Sequence, residues 1–249
     1  MDKQQQIQED CYKFPYHYIP RFENGNYSQS IVVRWGYEYI SYIYFVINRL
    51  NELNFDSLID VGCGDGKLLN EIYNKYPQKL LFGIDYSKRA IKYAILMNPN
   101  LRYICGDILE GKFIKNQFNV VTLIEVLEHI YPYYIDNFIK ALYNLTKTQG
   151  SLIITVPTKN IETHEKHYQH FNVDNLIELF EPYYKISEIK FINKISKIEL
   201  WLNRLLANRF FITNEPFLVN NIYKFYEKYL FNAEEHNCKR IYAHFNKNV

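Results

Sequence analysis

Missing from the sequence is any positively charged stretch that runs into a long apolar one. Met1 to Asp10 is almost wholly polar, and the most apolar early segment, Tyr39 to Ile47, ends at Asn48-Arg49. Neither has the form of a secretory leader, and the second is too short to cross a bilayer. Cysteine is scarce: Cys11, Cys63, Cys105 and Cys238 show no CxxC or other metal-ligand spacing. That excludes a zinc ribbon and fits free thiols in a reducing compartment. A charge excess is missing too, because 29 basic and 27 acidic residues are well mixed and leave a net charge of +2. The balance gives no electrostatic ground for a nucleic-acid or membrane partner. These absences predict a cytoplasmic protein.

With 249 residues, 48% of them hydrophobic, the chain can bury one sizeable core, so a single α/β domain is expected. Its 24 tyrosines and 17 phenylalanines sit beside abundant Ile, Asn and Lys, a bias that a genome can impose without any selection for stacking. The middle of the chain alternates apolar runs with helix-period segments, the signature of βαβ units and a parallel sheet. Strands are expected at Ser57 to Val61, Leu80 to Ile84, Arg102 to Cys105, Phe118 to Ile124, Ser151 to Val156, Lys185 to Ile192 and Lys239 to Asn246. Helices are expected at Lys67 to Lys75 and Lys88 to Met97, and over the face Ile135, Phe138, Ile139, Leu142 and Leu145, stopped near Gly150. A further helix should follow the Asn172 cap, burying Val173, Leu176, Ile177 and Phe180. Two segments stand outside this alternation. Asn193 to Asn237, between the sixth and seventh strands, reads as a helical insertion. Upstream, Arg34 to Leu53 has a helical pattern, and Cys11 to Ser30 is aromatic and irregular. Both the insertion and the aromatic N-terminal cap are expected to cover the acceptor side of a crevice.

Asp60-Val-Gly62-Cys63-Gly64-Asp65-Gly66 lies between an expected strand and an expected helix. Its glycines permit a tight turn and close backbone approach to a ligand. Lys67 stands where a dinucleotide fingerprint needs a small residue, and Leu68 stands where a P-loop needs a hydroxyl. Asp85, with Tyr86 beside it, ends the second strand about 20 residues further on, where an acid accepts hydrogen bonds from ribose hydroxyls. Asp107 and Ile108 follow the third strand, an acid for an adenine amino group beside an apolar wall. Three acids at three successive strand ends converge on one crevice.

In these residues the chain resembles the class I S-adenosylmethionine (SAM)-dependent methyltransferases, over roughly Leu53 to Ile192 plus the last strand. The resemblance implies a doubly wound, Rossmann-like seven-stranded sheet whose last strand is antiparallel. It also implies SAM as cofactor. Asp60, Gly62, Cys63 and Gly64 would contact its methionine part, Asp85 and Tyr86 the ribose side, Asp107 and Ile108 the adenine, and Glu125 would lie beside the sulfonium.

Methyl transfer from a sulfonium needs an aligned acceptor and, for a hydroxyl, a place for its proton. Glu125-Val-Leu-Glu128-His129 follows the fourth strand and His167-Tyr-Gln-His170-Phe171 the fifth, which makes Glu128, His129 and His170 the candidates for chemistry. A divalent metal on Glu125, Glu128, His129 and His170 is the alternative, since this segment resembles the metal-dependent small-RNA 3′-terminal 2′-O-methyltransferases. The Phe-Glu-Trp of that family is missing after His129, and Val156-Pro157-Thr158 replaces its Thr-Pro-Asn. No metal is therefore expected. A further resemblance is to bacterial methyltransferases encoded with surface-polysaccharide and sugar-modifying enzymes, which share the opening Phe14-Pro-Tyr-His17-Tyr18 and the Cys238-Lys-Arg240 run into the final strand. It implies O-methylation of a sugar-like acceptor, against the rival of a non-catalytic SAM-binding module.

Overall fold

The computed structural model describes residues 2–11, 20–23, 25–29, 36–111, 117–206, 213 and 215–248. The aromatic opening Phe14 to Tyr18 lies outside them. Helix α1 (Lys3–Cys11) comes first, capped by Asp2, whose carboxylate accepts the Gln5 N–H at 2.9 Å. A hairpin follows, β1 (Pro20–Glu23) against antiparallel β2 (Asn26–Gln29), with Gly25 turning at φ 75°. Next come α2 (Gly36–Leu50), β3 (Ser57–Val61), α3 (Lys67–Lys75), β4 (Leu80–Asp85), α4 (Lys88–Met97) and β5 (Arg102–Cys105). The chain continues through β6 (Phe118–Ile124), α5 (Ile135–Leu145), β7 (Thr146–Pro157), α6 (Val173–Phe180), β8 (Tyr184–Lys194), α7 (Lys197–Leu206), α8 (Pro216–Tyr229) and β9 (Cys238–Lys247).

Seven strands form one sheet in the order β5-β4-β3-β6-β7-β9-β8. From β3 to β7 every pairing is parallel, and β9 runs antiparallel to β7. This is the doubly wound sheet with an antiparallel last strand that the sequence implies. All five residues of β3 are buried, as strands covered on both faces require. The strand order reverses beside β3, whose successors run outward on one side to β4 and β5 and on the other to β6 and β7. A crevice opens at such a switch point, at the carboxyl ends of β3 and β6.

Two expectations are corrected. The helix before β7 ends at Leu145, not near Gly150, because Thr146 already pairs with Phe118 and its hydroxyl caps the helix by donating to the Leu142 carbonyl at 2.8 Å. Gly150 instead serves a register shift. Gln149 beside it turns at φ 61°, and a Cβ on Gly150 would stand 2.8 Å from the Lys147 carbonyl oxygen. The stretch 11–30, expected to be irregular, holds the β1–β2 hairpin.

By backbone contacts the chain divides into two compact units, Met1–Pro15 with Leu53–Lys190 and Arg240–Val249, and Tyr16–Glu52 with Phe191–Lys239. The first contains the crevice. The second unites the N-terminal hairpin and α2 with the insertion: Phe22 meets Tyr44 and Tyr223 edge-on at 5.0 and 5.2 Å, and Tyr27 stacks on Tyr223 at 5.3 Å.

Candidate active site

The loop after β3 is built by its glycines, because Gly62, Gly64 and Gly66 all take left-handed φ, at 74°, 55° and 82°. Gly62 has a second reason to lack a side chain: a Cβ there would stand 2.4 Å from the Val126 Cγ2. Cys63 turns its thiol inward near Gly83, and burial raises it far above its ordinary range. Only its backbone can therefore serve a ligand.

Asp60 points into the crevice wall and accepts the Thr122 hydroxyl of β6 at 2.7 Å. Burial, with the Asp85 charge adding to it, pushes its carboxyl up from 3.8 to about 7, against the lowering effect of Thr122. Asp85 is fixed by two backbone donors, Gly64 N–H at 2.9 Å on one oxygen and Ser87 N–H at 2.8 Å on the other. Each oxygen can accept more than one donor, so the carboxylate is held in place for ribose hydroxyls. Asp107 caps the short turn that follows it, accepting the Leu109 N–H at 2.9 Å; it is solvent-exposed, whereas Ile108 is buried. Tyr86 is exposed at the mouth.

SAM fits this set on the chemistry of its acids. A buried carboxyl forced toward neutrality by desolvation and a like charge is relieved by a cation, and SAM carries an ammonium and a sulfonium. Asp60 would provide that pressure and Asp85 would accept from the hydroxyls.

On the β6 side, Glu125 follows the end of the strand. It sits at φ 56°, a conformation rare outside glycine, and its carboxylate pairs with the Arg240 Nε at 2.8 Å. Glu128 is buried, and one of its oxygens finds no hydrogen-bond partner among the described residues. Burial, then the Glu125 charge, raises its carboxyl well above the usual range. His129 Nδ1 meets the Lys166 carbonyl at 3.0 Å. A carbonyl only accepts, so Nδ1 carries the hydrogen and Nε2 the lone pair, 3.9 Å from Glu128. Burial, helped by the Lys166 charge, lowers His129 to about 3.

The same reasoning orders the other imidazoles. His170 Nδ1 faces the carbonyls of Thr158 and Ile161 at 3.1 and 3.2 Å, so its Nε2 accepts from His167 Nδ1 at 2.8 Å. Both nitrogens of His170 are thus committed, and the open nitrogen belongs to His167, lowered to about 2 by burial and then by His129. His170, which the sequence suggested for the chemistry itself, is held by these backbone carbonyls and hydrogen-bonded to His167. Glu128, His129 and His167 each offer a ligand atom within 4.8 Å of the others. The sequence named Glu125 and His170 in place of His167, and no local signal separates three histidines spaced three apart.

Helix α1 is tied down near both sides of this crevice. Ser87 Oγ donates to Glu9, Arg89 donates to the Glu9 carbonyl at 2.9 Å, and the Tyr168 hydroxyl donates to Asp2.

The doubly wound sheet with its antiparallel last strand is the fold of solved SAM-dependent methyltransferases. More particularly, residues 58–150 match the family model described as a methyltransferase domain. The mitochondrial ubiquinone biosynthesis O-methyltransferase of Schizosaccharomyces pombe is 30% identical over 123 residues, covering 47% of this chain and 43% of that protein. The chain spans about half the length of the curated relatives it matches. Among solved structures, the N-methyltransferase NodS of Bradyrhizobium japonicum, in complex with S-adenosyl-l-homocysteine, shares the fold with a TM-score of 0.59 at 14% identity, over 86% of this chain and 88% of that one. A SAM-dependent methyltransferase of Archaeoglobus fulgidus does so with a TM-score of 0.55 at 16% identity, over 83% and 94%.

Among the described residues no helix is long and apolar enough to cross a membrane.

Proposed function

We propose that the protein is a SAM-dependent O-methyltransferase acting on the hydroxyl of a small, uncharged, polar acceptor such as a sugar or a phenol. The observation that carries this reading is His129: a half-buried imidazole kept neutral, with its Nδ1 hydrogen spent on the Lys166 carbonyl and its Nε2 lone pair available. Bound SAM supplies an electrophilic methyl group. His129 Nε2 would take the hydroxyl proton as the acceptor oxygen is methylated, with the Glu128 carboxyl and the neutral His167 beside it. Asp60 and Asp85 orient the cofactor, and α1 shields the reaction from water. The Schizosaccharomyces pombe relative, an O-methyltransferase of ubiquinone biosynthesis, and the malonyl-acyl carrier protein O-methyltransferase of Halalkalibacterium halodurans both transfer to oxygen by name. A carboxylate acceptor needs no base, so the neutral His129 favours the hydroxyl.

The test is S-adenosylhomocysteine release over a panel of sugars, nucleotide sugars, phenols, a malonyl-carrier protein and short RNAs. Turnover with a hydroxyl acceptor that His129→Ala removes is expected. Turnover confined to the malonyl carrier, or untouched in His129→Ala, overturns the reading.

A second reading has one observation in its favour: the three ligand atoms of Glu128, His129 and His167 within 4.8 Å of one another suit a divalent ion. Turnover of an RNA 3′ end that is stopped by chelation and restored by Mn²⁺ would select it.

A further inference from the structure

Helix α7, in the second unit, reverses the usual arrangement of a surface helix. Its inner side buries Leu206 but is otherwise fastened by polar groups: Glu199 is buried and accepts from Lys239, which also reaches Glu38 at 2.7 Å, and Asn203 accepts the Tyr37 hydroxyl at 2.9 Å. Its solvent side consists of Lys197, Ile198, Leu200, Trp201, Arg204 and Leu205. Trp201 is 66% exposed and Leu200 60%. An amphipathic helix of a water-facing surface turns its apolar residues inward.

The charges decide what covers this face. The helix has one acid, Glu199, and it is turned inside against Lys239, so only cations, Lys197 and Arg204, flank the apolar residues on the outside. A second copy meeting this face through a two-fold axis would set like charges against like. An anionic bilayer interface matches all of it: acyl chains for Ile198, Leu200 and Leu205, the headgroup boundary for a tryptophan ring, and lipid phosphates for Lys197 and Arg204. We propose that α7 seats the protein on an anionic membrane surface, lying in the headgroup region without crossing it. The net charge of +2 conceals this because it averages over the whole chain.

The full chain is mixed with vesicles of phosphatidylcholine, with and without phosphatidylglycerol, and read by co-sedimentation and tryptophan emission. The sequence has only two tryptophans, so Trp201→Phe assigns the signal. Expected are co-sedimentation with the phosphatidylglycerol vesicles alone, a blue shift lost in Trp201→Phe, and weakening by salt. Leu200→Glu should lower the partition by about tenfold or more, and Lys197→Gln with Arg204→Gln by about fivefold for each cation removed. SAM binding by each variant verifies that it has folded. The proposal is overturned by no sedimentation with anionic vesicles, by equal binding to neutral ones, by indifference to these substitutions, or by a lipid-free dimer that Leu200→Glu dissociates.

Discussion

Replacing Asp60 by Asn tests the electrostatics of the cofactor crevice directly. Asparagine keeps the shape and the oxygen that accepts from Thr122, and removes only the charge. The carboxyl moves from 3.8 in the unfolded chain to about 7 in the fold, a shift of about 3 units, or about 4 kcal/mol of preference for the neutral form. Because the folded value is the higher one, the stability tied to it is fully present below pH 3.8 and is lost as pH rises through about 7. His129 and His167 work in the opposite sense: their folded values, about 3 and about 2, lie below 6.5, so their contribution is present above 6.5 and lost in acid. Wild-type stability alone therefore mixes both trends, and the difference between wild type and Asp60→Asn isolates the carboxylate. Urea denaturation of the SAM-free proteins should give equal stability in acid and a variant more stable by up to about 4 kcal/mol well above pH 7. Calorimetry should show the reverse for the cofactor: wild-type affinity for the SAM cation strengthens as pH rises through about 7, and Asp60→Asn loses both the affinity and its pH dependence. A stability difference that is the same in acid and in base, or a SAM affinity indifferent to pH, refutes the reasoning.

His129→Ala should lower kcat by about 10²- to 10⁴-fold with SAM affinity kept, and because burial holds His129 near 3, wild-type kcat should show no histidine limb near pH 6.5; such a limb in kcat would count against a desolvated base. Asp85→Ala should weaken SAM binding by roughly 1 to 3 kcal/mol in calorimetry, since the ribose hydroxyls lose a charged acceptor. Gly62→Ala, with a Cβ 2.4 Å from Val126 and a left-handed φ, should destabilise the fold by roughly 1 to 3 kcal/mol, and an unchanged urea midpoint would defeat that assignment. Removing residues 1–11 should abolish turnover and spare SAM binding if α1 only shields the reaction, an outcome separable by running both assays on one sample.

The sheet is legible in the sequence because parallel strands buried on both faces write themselves as apolar runs, and Val120 to Leu123 or Leu152 to Val156 admit little else. The placement of Asp85 and Asp107 at strand ends is legible for the same reason: they sit where those runs stop. Local chemistry hides the rest. Asn24-Gly25, the turn pair a two-residue hairpin favours, stands between Phe22 and Tyr27, yet neither flank alternates, and their burial comes from Tyr44 and Tyr223, distant in the chain. The roles of the histidines are set by backbone carbonyls of Lys166, Thr158 and Ile161. No side-chain pattern announces which carbonyl an imidazole will meet, so the sequence does not show that His167 joins Glu128 and His129 in one cluster. Gly150 was open to misreading because a glycine after a helical face ends helices as readily as it serves a bulge.

That bulge separates two parts of one long strand. Between Phe118 and Val120 the β6 partner advances two residues while β7 advances from Thr146 to Ser151, and the ladder from Ser151 to Thr155 then runs without interruption. Spare length is thus stored at the end of the sheet opposite the candidate site. The Glu125 N–H finds the Thr155 carbonyl at 3.0 Å through the regular part alone. Residues gained or lost around the exposed Thr148 and Gln149 are absorbed before the register begins. This is where lineages can change the length of the chain, and where a dye or affinity label can be spliced in, without moving the groups that would face the methyl.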